Sequence, residues 1–277
     1  MTTLFKLLSA MPLRLLHGVG GALGWLVFLA SPLYRRRLVA HATLAGYGFS
    51  EVRGAVGHAG RLVAELPRLW MGAPVLCEWD NDACVERAYA AGRGIIYLTP
   101  HLGCFEVTAQ AVARRYGERH GPLTVLYRPA RQAWLAKLML SARNRPGLAT
   151  APTSLAGVRQ MMRALRNGHA VGLLPDQVPP DGMGQWAPFF GRDAYTMTLS
   201  VRLAQQTGAT VLLLWGERLT MGRGFRLHFR ELQRPLADRL DAAVVQVNQE
   251  MERLVRECPA QYLWAYARYK QPHRDYT

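Results

Sequence analysis

At 277 residues, half of them hydrophobic, the chain is long enough to enclose a sizeable core, and its composition excludes a disordered polypeptide. Lys and Arg number 34 against 19 Asp and Glu, a formal charge of +15, which points to an anionic partner, either nucleic acid or an anionic lipid surface. The four cysteines (Cys77, Cys84, Cys104, Cys258) form no CxxC pair and no regular spacing, which argues against a disulfide scaffold or a structural zinc site and for a reducing compartment.

From Leu15 to Tyr34 runs an almost uncharged apolar stretch, followed by Arg35, Arg36 and Arg37 and preceded by Lys6 and Arg14. It is about long enough to cross a bilayer core. A cleavable signal would end in a small-residue cleavage site, whereas this stretch runs into Ser31, Pro32 and the arginines. Residues 1–37 are therefore expected to be a membrane-anchoring segment, spanning the bilayer or lying in the interface with the arginines at the lipid phosphates; a buried core helix is the alternative. The heavier downstream charge favours a cytoplasmic body. Gly18, Gly20 and Gly24 do not make a dinucleotide fingerprint, because no strand precedes them, and Gly20 with Gly24 reads as a close-packing helix face.

Residues 38–91 are expected to be mainly helical, with Val56, Leu62, Val63, Leu66 and Leu69 recurring at helical spacing. Short apolar runs at Gly94 to Thr99, Leu123 to Tyr127, Ala170 to Leu174 and Thr210 to Trp215, and an alternating one at Phe225 to Phe229, read as strands. Helical stretches lie between and after them, at Phe105 to Tyr116, Gln132 to Ala142, Leu155 to Arg166, Leu199 to Gln206 and Asp241 to Glu257. This alternation predicts an α/β fold, a central mostly parallel or mixed sheet flanked by helices, as one domain over 38–277. The Pro/Gly-rich stretch from Pro175 to Gly191 reads as a long functional loop.

Ligands collect at the carboxyl ends of strands in such sheets. After the first strand comes Pro100-His101-Leu102-Gly103-Cys104-Phe105-Glu106. On one continuous helix His101 and Glu106 would lie about 140° apart and would not touch. They meet only if His101 sits in the strand-to-helix turn and Glu106 folds back from the first helical turn. Such a pair would serve base catalysis, the carboxylate fixing the ring and the second nitrogen taking a hydroxyl proton. Amides at the helix start would face the same spot and hold an oxyanion or phosphate. The alternative is an ordinary turn holding a His and a Glu by chance. No HExxH or Cys/His cluster supports a metal and no GxSxG supports a serine hydrolase, while Cys104 reads more readily as packing than as a nucleophile. Arg128 follows the second strand, Asp176 and Gln177 the third, and Trp186, Phe189, Phe190, Tyr262, Trp264 and Arg268 lie further on.

The order HLGCFE, LYRP, LPDQ, APFFG and YLWAYARYK resembles the lysophospholipid acyltransferase superfamily, and within it the lipid A biosynthesis acyltransferases. The resemblance covers nearly the whole chain. It implies an HxxxxE catalytic pair at His101 and Glu106, with Arg128, Asp176, Gln177 and Gly103 binding substrate, and no metal or organic cofactor. It also implies an acyl carrier protein thioester as donor and the hydroxyl of a 3-hydroxyacyl chain on a lipid A precursor as acceptor. The expected location is the inner membrane, with the catalytic domain on its cytoplasmic face. A lysophospholipid, ornithine lipid or glycolipid acceptor keeps the same chemistry. A non-catalytic basic protein on membrane or nucleic acid is the reading from a different class; the aromatic-studded basic strand face of single-strand binders is not apparent, and nucleic acid is not expected as a partner.

Overall fold

A computed structural model describes residues 2–127 and 145–272. Its elements run α1 (Thr2–Ala10), α2 (Leu13–Ala30), α3 (Pro32–Leu44), α4 (Phe49–Val52), α5 (Gly54–Met71), β1 (Cys77–Asp80), α6 (Ala83–Ala90), β2 (Ile95–Leu98), α7 (Phe105–His120) and β3 (Leu123–Tyr127). They continue with β4 (Leu148–Pro152), α8 (Leu155–Arg166), β5 (Ala170–Leu173), β6 (Gly184–Phe189), β7 (Arg192–Met197), α9 (Leu199–Thr207), β8 (Thr210–Arg218), β9 (Phe225–Glu231) and α10 (Leu240–Glu257). The expected helix at 132–142 and Arg128 lie outside the described residues.

Seven strands form one sheet in the order β1-β9-β8-β2-β5-β3-β4. Every pairing is parallel except β8 with β9, so the fold is α/β with a mostly parallel, mixed sheet flanked by helices. The β2 strand is buried at every position, as a central strand covered on both faces must be. Its two faces feed separate clusters: Ile96 and Leu98 pack with the α8 and α10 residues Met161 and Val247, while Ile95 and Tyr97 pack with the α7 residues Val112 and Tyr116.

The stretch read as a loop from Pro175 to Gly191 carries the first strand of a hairpin, β6–β7. Its two-residue turn, Phe190-Gly191, has positive φ at both positions (48° and 76°), the geometry whose twist matches paired strands. Phe189 and Phe190 are buried beneath it, and Asn248 of α10 donates to the carbonyl of Pro188 at 2.9 Å. Two edge strands, β1 and β4, gave no apolar run; half-exposed positions and a closing proline mask their period.

The N-terminal segment packs along the body. Helix α2 lies antiparallel to α5, glycine against glycine: a Cβ on Gly60 would sit 1.9 Å from the Gly20 carbonyl oxygen, and one on Gly24 2.2 Å from that of Val56. The small-residue face expected at Gly20 and Gly24 is thus met by Gly60. At the end of this seam Glu65 of α5 is fully buried, bound by Arg218 through contacts of 2.6 to 3.1 Å and by His17 Nε2 at 3.0 Å. Burial opposes ionisation of Glu65, but the Arg218 charge and the hydrogen bonds from His17 and Arg218 outweigh it and hold its pKa at about 2.

Candidate active site

The site is set by strand register. In the parallel pair β2–β5, Ile95 lies opposite Ala170 and Leu98 opposite Leu173. Three residues beyond those paired leucines, past Pro100 and Pro175, stand His101 and Asp176. A proline cannot donate to the ladder, so both chains leave the sheet at equivalent points and carry the imidazole and the carboxylate out side by side.

Asp176 holds His101 twice: the His101 backbone N–H donates to Oδ2 at 2.8 Å, and ring Nδ1 donates to Oδ1 at 2.7 Å. An ionised carboxylate only accepts, so the ring proton sits on Nδ1 and Nε2 keeps its lone pair. Gln177 meets that lone pair, its Nε2 amide donating to His101 Nε2 at 2.8 Å on the exposed side of the ring. The Asp176 side chain is 1% exposed and the His101 side chain 12%. Burial pushes the Asp176 carboxyl up, but its attraction to the His101 ring in the protonated form and the hydrogen bonds from that ring and its backbone bring the pKa below the ordinary range. The Phe105 ring stands edge-on to the imidazole at 4.7 Å and Tyr262 Oη donates to Asp176 Oδ2 at 3.3 Å.

The carboxylate on Nδ1 is therefore Asp176, which the sequence reading had placed among the substrate-binding residues, rather than Glu106. Glu106 lies in the first turn of α7 and its Oε2 accepts from Trp70 Nε1 of α5 at 3.2 Å. A contact across two strands 75 residues apart outcompetes the local fold-back that a five-residue spacing suggested. Gly103 has φ +59°, and a Cβ there would lie 2.0 Å from the Gly216 carbonyl oxygen, so its absent side chain lets the turn cross β8.

The expectation of amides at the helix start is altered in the same way. The Gly103 N–H donates to the Gln261 carbonyl and the Cys104 N–H to that of Gly216, so the turn itself is spent on structure. In the first turn of α7 the Phe105 and Glu106 amides lie too early for intrahelical acceptors, while the Val107 N–H meets the buried Cys104 thiol. Cys104 is fully buried, and burial followed by the nearby Glu65 charge pushes its thiol pKa well up, so it packs rather than reacts.

Trp70 escapes the sequence reading; it follows Leu69 in an apolar helix and gives no polar signal. The terminal block, which the sequence singles out through Tyr262, Trp264 and Arg268, clamps the turn. Leu263 N–H donates to the His101 carbonyl at 3.2 Å, and Tyr266 Oη accepts from Val178 N–H at 3.0 Å. Arg268, buried, donates to the Tyr195 carbonyl at 2.7 Å and to Thr196 Oγ1 at 2.6 Å, tying the block to β7. Trp264 is buried, and its carbonyl accepts from His41 Nδ1 of α3 at 2.7 Å.

A family model described as bacterial lipid A biosynthesis acyltransferase matches residues 60–271. The chain is 24% identical over 187 residues to the lipid A biosynthesis palmitoleoyltransferase of Escherichia coli (strain K12) and to a lipid A biosynthesis acyltransferase of Shigella flexneri. It is 26% identical over 189 residues to the lipid A biosynthesis lauroyltransferase of Escherichia coli (strain K12). Each alignment covers 67% of this chain, which spans 59% of the length of those relatives.

Proposed function

This chain belongs to the bacterial lipid A biosynthesis acyltransferase family, and from that premise we propose that it moves a fatty acyl group from an acyl carrier protein thioester to the hydroxyl of a 3-hydroxyacyl chain on a lipid A precursor. The observation that carries the reading is an imidazole held through Nδ1 by a buried carboxylate, with Nε2 directed to the exposed side at a strand end.

In this proposal His101 Nε2 takes the proton of the acceptor hydroxyl as its oxygen attacks the thioester carbonyl. The Asp176 anion stabilises the imidazolium that forms and keeps the ring turned. First-turn amides of α7 meet the developing oxyanion. Collapse of the tetrahedral intermediate breaks the carbon–sulfur bond, and the imidazolium returns its proton to the departing thiolate. Gln177 occupies Nε2 at rest and gives way to the acceptor hydroxyl. Glu106, at a helix start that favours negative charge, is assigned to the site as the second residue of the HxxxxE pair, with its position fixed by Trp70. Arg128 is assigned to the acceptor phosphates or the acidic carrier. The proposed location is the cytoplasmic face of the inner membrane, where the +15 chain meets anionic lipid.

The test is an assay with acyl carrier thioesters and defined lipid A precursors. His101→Ala is expected to lower turnover by about 10² to 10⁴ with an unchanged circular dichroism spectrum; near-normal turnover rejects the proposal. Mass spectrometry of lipids from a deletion strain is expected to show one secondary acyl chain missing from lipid A.

A further inference from the structure

Helix α2 has two opposed faces. Leu16, His17, Gly20, Gly21, Gly24 and Phe28 are buried. At 100° per residue Leu15, Val19, Ala22, Leu26 and Leu29 fall on the other side, and the four large ones are 55%, 56%, 61% and 68% exposed. The exposed stripe runs about 21 Å at helical rise, and the stretch from Leu15 to Tyr34 carries no Asp, Glu, Lys or Arg. Leu33 of α3 and Leu7 of α1, on the elements that flank α2, are exposed as well. Contiguous apolar surface on this scale marks an interaction site.

Charge names the occupant. Arg36 and Arg37 are exposed beyond one end of the stripe, and Lys6 and Arg14 are exposed at the other. Arg35 turns its guanidinium back onto the Phe28 and Leu29 carbonyls, closing the end of α2 without placing a charge in the stripe. An apolar band bordered by cations fits the acyl boundary and phosphates of an anionic bilayer surface.

The buried face decides how that surface is met. Gly20 and Gly24 lie against Val56, Gly60 and Arg61 of α5, the Arg61 guanidinium donates to the His17 carbonyl at 3.2 Å, and Glu65 joins His17 to Arg218 at the end of β8. For α2 to cross the bilayer with this seam intact, α5 would carry Arg61, Glu65 and Arg68 into hydrocarbon, where charges are strongly disfavoured. The other route breaks the seam and strands the Glu65–Arg218 pair. Helix α1, which precedes α2, reaches the site: its Phe5 stacks on Trp70 at 6.4 Å, and Trp70 donates to Glu106.

We propose that α1 and α2 dock flat on the anionic leaflet through the Leu15–Leu29 stripe, as a fixed outer layer of the catalytic body rather than a span. This rests on the membrane-bound reading above and specifies its geometry. The full chain is mixed with vesicles of phosphatidylcholine alone or with phosphatidylglycerol and sedimented. Wild type is expected to bind the anionic vesicles. Val19→Glu and Leu26→Glu are each expected to weaken binding at least about tenfold with an unchanged melting temperature, the loss of roughly one buried apolar side chain. Arg36→Glu with Arg37→Glu is expected to remove the preference for the anionic lipid. In cells, an amino-terminal tag is expected to resist protease in intact spheroplasts and to be digested together with the body in inside-out vesicles. A tag digested in spheroplasts while the body is protected overturns the flat geometry and leaves the membrane reading standing. Unchanged binding by both glutamate variants overturns the docking face, and wild type that binds neither vesicle removes both readings.

Discussion

Two of the histidine–carboxylate contacts among the described residues are similar in length and differ in everything around them. His101 meets Asp176 at 2.7 Å and His17 meets Glu65 at 3.0 Å. Glu65 is also gripped by Arg218, so its charge is neutralised before the imidazole adds anything, and the pair is sealed between α2, α5 and the Phe225 ring, 6.2 Å from His17. Asp176 takes its described hydrogen bonds from His101 and Tyr262, and the far nitrogen of His101 points to the exposed side. On the proposed mechanism, proximity of imidazole and carboxylate alone does not make a base. What sets His101 apart is an anion left to balance an imidazolium and a second nitrogen on the exposed side.

That contrast is broken most sharply at Asp176. Asp176→Asn keeps the shape but removes the charge that balances a protonated ring. Turnover is expected to fall by about 10² to 10⁴, read by steady-state kinetics, with the fold retained by near-ultraviolet circular dichroism. Activity close to wild type would return the orienting role to another carboxylate.

At the sealed pair the expected loss is stability. Glu65→Ala leaves Arg218 buried without its counter-ion, which costs about 3–5 kcal/mol, measured by urea unfolding. Glu65 also gives the acid dependence its sign. Its folded pKa, about 2, lies below the ordinary 4.5, so its contribution is complete above pH 4.5 and disappears as pH falls through about 2. Asp176, also depressed, acts in the same direction. Glu65→Gln is expected to flatten the stability profile between those limits, whereas a parallel profile would deny Glu65 that role.

How much of this was legible depended on whether the deciding contact was local. β2, β3, β5, β8 and β9 announce themselves as apolar or alternating runs because burial selects Ile, Val, Leu and Phe there. The place to look for chemistry follows from strand polarity, and His101, Asp176 and Gln177, which lie there, are the residues proposed for it. Their pairing was misassigned because the register of β2 against β5 is a long-range property, whereas the His101-to-Glu106 spacing is visible at once. The hairpin at 184–197 was missed because Pro188 breaks its period and Phe190 is an unusual residue for a positive φ. Gly20 and Gly24 signalled a close-packed face, yet nothing near them in sequence named Gly60 as the partner, or disclosed that Glu65 lies at the end of the seam.

The smallest effect is expected at the rim of the site. Gln177 touches His101 Nε2 from the exposed side, where water replaces an amide at a net cost of about 0.5–1.5 kcal/mol. Gln177→Ala is therefore expected to leave turnover within about tenfold of wild type. Gln177→Glu is the sharper probe, because a carboxylate opposite Nε2 makes the ring hold its proton more tightly, and the proposed reaction needs that nitrogen unprotonated. The acid limb of the pH–rate profile is then expected to move to higher pH, with turnover recovered at the alkaline end. A glutamate variant whose profile stays in place would show that Nε2 is not the proton acceptor, and would make the exposed pair as silent as the sealed one.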